Sequence, residues 1–124
     1  MRPKEIFGEF FRAKRIENKM TLRKFCEISN LDPGNISKIE RGILPPPSSD
    51  EKLRSYASFL GIKEGSADWQ EFFDRAAARK GEIPREILED SEIARHLPLI
   101  FRTIRGKKLS KERLDEIIEI VRDL

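Results

Sequence analysis

Apolar positions recur every three or four residues along most of this chain, and no stretch alternates strictly. The pattern predicts helices throughout and no strand. A first helix is expected from about Pro3 to Asn18, with Ile6, Phe7, Phe10, Phe11 and Ile16 as its apolar positions. Two short helices follow, over about 21–29 and 33–41. Thr21 is placed to cap the first, its hydroxyl taking an amide of the first turn. Phe25, Ile28 and Cys26 then fall on one side, with Arg23, Lys24 and Glu27 facing away. Asn30 tolerates the left-handed conformation that ends a helix, and Leu31 can fill the angle between the two. Asp32 caps the second helix, and Pro33 opens it where a missing N–H costs nothing. Ile36 and Ile39 point inward. Gly34, Asn35, Ser37, Lys38 and Arg41 stay on open faces, and Gly42 stops the helix.

The loop Ile43-Leu44-Pro45-Pro46-Pro47 cannot be helical, because its prolines favour an extended path. It reads as a spacer, or as a semi-rigid arm. A fourth helix is expected over about Ser49 to Leu60, with Leu53, Tyr56, Ala57 and Leu60 inward. A fifth spans about Ser66 to Arg79 on the stripe Trp69, Phe72, Phe73, Ala76 and Ala77. Gly81-Glu82-Ile83-Pro84 then breaks the chain and begins an extension. Pro84 to Asp90 holds a turn or two of helix. Ser91 is expected to cap a short helix to His96, Pro98 to start another ending before Gly106, and Ser110 to cap a last one from Lys111 to Leu124. Leu114, Ile117, Ile118, Val121 and Leu124, widened by Ile120, make that last helix too apolar to stand alone. It either forms a dimer interface, the preferred reading, or closes the monomer core.

The chain has 124 residues, which suits one domain, or one domain with an appendage. No run approaches the length of a membrane span, and the first residues carry no apolar signal core. A single cysteine cannot form an internal disulfide, which suits a reducing cytoplasm. Cys26 reads as a small buried hydrophobe. The net charge of +3 is unevenly spread. Residues 1–48 hold ten Lys/Arg against six Asp/Glu, residues 64–92 hold four against nine, and residues 102–113 hold six against one. A basic front end attracts a phosphate backbone by releasing counterions.

Catalysis finds no support. One His and one Cys provide no metal cluster, no serine lies in a nucleophile motif, and no glycine-rich phosphate loop is present. No metal and no cofactor are expected.

The hairpin carries the functional signal. Its turn is short, and the outward residues of its second helix are small, polar or basic rather than a Glu/Lys mixture. Such a unit can present one helix to a DNA major groove. The segment resembles the Xre / lambda-repressor-like helix-turn-helix family, most closely in Ile36-Ser37-Lys38-Ile39-Glu40-Arg41-Gly42, with Pro47-Ser48, Leu53, Ala57 and Leu60-Gly61-Ile62 continuing the match. The resemblance covers about residues 5 to 78. It departs at Phe25-Cys26 (usually Leu-Ala), at Asn30 (usually the turn Gly), at Leu22 (often a Gln that grips the backbone) and at Gly34 (often a long base-reading side chain).

The resemblance implies an all-α, five-helix lambda-repressor-like DNA-binding domain over residues 1–80, with a helical extension over 81–124. It also implies the contacts. Lys38 would read guanine, and Asn35 would take adenine or a phosphate. Pro33 and Gly34 would offer only apolar contact or close approach. Ser37, Arg41 and Thr21 would hold phosphates with the amides opening the 21–29 helix, assisted by Arg23 and Lys24. Glu40 would be structural, pairing with Arg12 or Arg15. The expected partner is double-stranded DNA, bound by a homodimer that represses transcription. The alternative is an antitoxin whose extension binds a toxin or other protein. No membrane partner is expected.

Overall fold

The computed structural model describes residues 3–82, 85–104, 110–112, 115–116 and 119. Among these residues there are seven helices and no strand: α1 (Pro3–Glu17), α2 (Leu22–Ser29), α3 (Pro33–Glu40), α4 (Asp50–Phe59), α5 (Ala67–Lys80), α6 (Arg85–Leu88) and α7 (Ser91–Ile104). The chain divides into two units, Met1–Pro84 and Arg85–Leu124.

The first unit is built around Phe11. Its ring meets Phe25 of α2 edge-on at 5.3 Å, Tyr56 of α4 at 6.3 Å and Phe72 of α5 at 6.4 Å. Phe7, Ile36, Ile39, Leu53, Ala57, Leu60, Ile62 and Ala76 complete the buried core with Cys26. Edge-on aromatic pairs add roughly 1 kcal/mol each beyond the apolar area they bury. Phe11 thus ties three helices to α1. The helix starts follow the capping residues: Ser49 Oγ accepts from Lys52 N, and Ser66 Oγ accepts from Trp69 N. Gly81 ends α5 in the left-handed conformation, φ +73°.

Ile16 and Ile28 depart from expectation, at 54% and 50% exposed. On α1 the buried i, i+4 stripe runs Phe7, Phe11 and then Arg15, which leaves Ile16 off the core face. On α2 the inward stripe is Leu22, Phe25, Cys26 and Ser29, and Ile28 lies beside it rather than on it.

In the second unit, one helix replaces the two expected on either side of Pro98. Ile93, Leu97, Ile100 and Ile104 form one half-buried stripe at i, i+4, i+7 and i+11, and only an unbroken helix keeps it continuous. That continuity offsets the lost Pro98 N–H bond. The cap is also displaced by one residue. Asp90, not Ser91, closes the start of α7: its Oδ1 accepts from Glu92 N at 3.0 Å and Ile93 N at 3.2 Å. Gly106 and the last stripe, Leu114, Ile117, Ile118, Ile120, Val121 and Leu124, lie outside the described residues.

Candidate nucleic-acid interface

The hairpin α2–α3 is closed by local chemistry. Thr21 Oγ1 accepts from Lys24 N at 3.0 Å, which fixes the start of α2. Asn30 adopts φ 58° and ψ 40°, and the Leu31 amide donates to the Cys26 carbonyl. An asparagine therefore makes the turn that a glycine usually makes. Asp32 Oδ2 accepts from Asn35 N at 2.9 Å, and Pro33 opens α3. Leu31 is half-buried against the core and fills the angle between the helices.

α3 is held from behind. Ile36 and Ile39 are buried in the core. A Cβ built on Gly8 would fall on the backbone carbonyls of Ile39 and Glu40, so α1 and α3 approach backbone to backbone at that point. Glu40 is 8% exposed and held by Arg15. Arg15 Nε and Nη2 donate to the two carboxylate oxygens at 3.2 and 2.9 Å, and Nη1 donates to the Met20 carbonyl at 2.9 Å. Of the two arginines expected to pair with Glu40, Arg15 does so.

What α3 leaves outward is a stripe at i, i+4 and i+7: Gly34, Lys38 and Arg41, all exposed. Among the described residues the Lys38 ammonium has no carboxylate within ion-pair distance. Arg41 Nε leans back on the Ser37 carbonyl at 3.3 Å. Pro33 and Asn35 are exposed beside the stripe, while Ser37 is half-buried. Thr21, Arg23 and Lys24 are exposed at the start of α2, whose first turn carries no acidic residue. Two cations and no acidic residue in its first turn make that helix start suited to a phosphate. Past α3, the Ile43 and Leu44 amides both donate to the Lys38 carbonyl, at 2.8 and 3.2 Å. Pro46 is buried, and the proline loop is anchored to the domain.

Cys26 is buried, and its thiol is pushed up, chiefly by that burial and further by the negative charges of Asp32 and Glu40. A thiol kept protonated is a poor nucleophile, in keeping with a packing role.

These features define the domain's type, and the family comparison agrees. The model for the helix-turn-helix family matches residues 11–65. Residues 11–65 are a helix-turn-helix domain of the Xre/Cro/CI type. The domain implies a lambda-repressor-like fold and DNA as the partner, in a family that is generally not enzymatic. No curated protein and no solved structure matches the chain significantly. The matched stretch runs from Phe11 to the loop before α5, so α5, α6 and α7 lie beyond it. Among the described residues, no helix is long and apolar enough to cross a membrane.

One charged group in the hairpin was read from sequence only as a cap. Asp32 is exposed at the start of α3, whose first turn carries no acidic residue of its own.

Proposed function

We propose that this chain is a sequence-specific transcriptional regulator, a cytoplasmic repressor that binds its operator as a dimer. The observation that carries this is the outward stripe Gly34–Lys38–Arg41 on a helix fixed from behind by Gly8 and by the Arg15–Glu40 pair. A rigid helix presenting an unpaired lysine can place it against base edges. The roles proposed for its residues are those that the family resemblance implies. Lys38 reads guanine, Asn35 takes adenine or a phosphate, and Arg41 and Ser37 hold phosphates with Thr21, Arg23 and Lys24. Pro33 and Gly34 allow close approach.

Residues 1–80 form the DNA-binding domain, and residues 81–124 join two copies. One recognition helix buries little surface, and paired half-sites about 34 Å apart need two. Within the extension, Leu99 of α7 is 59% exposed and Leu88 of α6 is 48% exposed, apolar surface that a second copy would cover.

The test is a mobility shift of the full chain on its own upstream DNA across a salt series. Sequence-selective binding with a steep salt slope is the expected result. Binding no better than to random DNA would sink the repressor reading and bring forward the antitoxin reading, in which the extension takes a protein partner. Light scattering of a chain cut after Gly81 tests the dimer separately: a species that stays dimeric excludes the extension as the joint.

A further inference from the structure

The two helix starts in the hairpin carry opposite charge. At α2 the cap is neutral Thr21, followed by Arg23 and Lys24. At α3 the cap is Asp32, and its carboxylate occupies the end that would otherwise attract an anion. A phosphate is therefore favoured at the first start and disfavoured at the second.

Gly34 sharpens the contrast. It is exposed on the outward stripe, one turn before Lys38, and has no side chain of its own. A Cβ placed there would meet Asp32 Oδ2 at 3.0 Å, tighter than ordinary packing, so the carboxylate borders the notch that the glycine leaves. Among the described residues, the hydrogen bond to this carboxylate is from Asn35 N to Oδ2. An ionised carboxylate has about four lone-pair sites, so Oδ1 keeps room for another donor.

In the major groove only two groups donate: cytosine N4 and adenine N6. Guanine presents acceptors at N7 and O6, and thymine an acceptor at O4, which a carboxylate repels. We propose that the Asp32 carboxylate, at the edge of the Gly34 notch, reads an exocyclic amino group in the major groove. Asp32 would thus be a specificity-determining residue, selecting a base by attraction to its amino group and rejecting the others by repulsion. The inference rests on the sequence-selective reading above.

The test is selection of binding sites from a random duplex pool by the full chain and by D32N and D32S. Both replacements are good helix caps, so α3 should still form, and circular dichroism of each variant checks this. The wild-type chain should select cytosine or adenine at one position per half-site. D32S should lose that preference about tenfold, the low end of what one base contact discriminates, with the other positions unchanged. Methylation of the selected base then names the donor: N4-methylcytosine or N6-methyladenine weakens wild-type binding, whereas D32S is indifferent. Unchanged base preferences in D32S and D32N would overturn the inference and leave Asp32 a cap alone. Wild-type binding without any sequence preference would overturn it while DNA binding stands. No retention of DNA at all would overturn both this inference and the repressor reading.

Discussion

Arg15 of α1 clamps Glu40 of α3 with two parallel hydrogen bonds, and both side chains are nearly buried, at 11% and 6% exposed. The pair sits at the rear of the outward-facing helix, so it fixes that helix against α1 rather than contacting DNA. Removing one partner strands the other charge in the interior. Glu40→Ala should destabilise the domain by on the order of 3 kcal/mol. The double variant Arg15→Met, Glu40→Leu should recover much of that loss, because no buried charge remains. Urea unfolding of the single and double variants checks this. Equal losses in both would mean that the ion pair itself, not the stranded charge, carries the stability.

Gly8 makes the second link between the same two helices. Glycine inside an exposed helix normally costs about 1 kcal/mol relative to alanine. Here the methyl group would press on the backbone carbonyls of Ile39 and Glu40, which cannot rotate away. Gly8→Ala should therefore destabilise, by about 1–3 kcal/mol, against the propensity trend. A thermal melt decides it, and a raised midpoint would show that α1 and α3 separate easily.

Both links differ in how far the sequence reveals them. Glu40 lies in the motif that resembles the family, and Arg12 and Arg15 were its candidate partners. The i+4 step from Phe11 selects Arg15 as the inward one. Gly8 carries no such signal, since a glycine within a helical run looks the same whether or not a neighbouring backbone touches it. Caps were legible wherever one residue could serve: Thr21 and Asp32 both accept the amide expected of them, and Ser49 and Ser66, expected only as helix starts, cap as well. At Asp90-Ser91 two residues competed, and the one with the stronger acceptor took the cap. Pro98 misled because its local preference is to open a helix, while the stripe from Ile93 to Ile104 favours running through it.

Alkaline pH should weaken this domain. Burial pushes the thiol of Cys26 above its ordinary 9.0 and the hydroxyl of Tyr56 above its ordinary 10.0. The hydrogen bond to Asp68 is the largest cause raising Lys14 above its ordinary 10.5. In each case the folded state holds its proton more tightly than the unfolded chain does. Their contribution is complete below about pH 9 and falls as pH rises from there through the folded values. Cys26 acts first, because its unfolded value is the lowest of the three. Denaturant midpoints measured from pH 7 to 11 should be flat with respect to these groups up to about pH 9 and then decline. Cys26→Ala should delay the onset of that decline toward pH 10. An onset unmoved in that variant would mean that the thiol is not coupled to folding.

Lys38 and Arg41 share a stripe but should fail differently. Lys38 lies one turn beyond Gly34 and has no carboxylate partner among the described residues, so its ammonium is available to guanine O6 and N7. Lys38→Ala should cost about 1–3 kcal/mol on the selected site and relax the choice of base at one position. Arg41 lies at the end of α3, its Nε bonded back to the Ser37 carbonyl, which leaves the outer guanidinium nitrogens for a phosphate. Arg41→Ala should weaken selected and random DNA alike and lower the slope of log affinity against log salt by about 1. Affinities of both variants across a salt series, on selected and scrambled duplexes, separate the two roles. If Lys38→Ala shifts both duplexes equally and lowers the salt slope, the lysine holds the backbone and does not read a base.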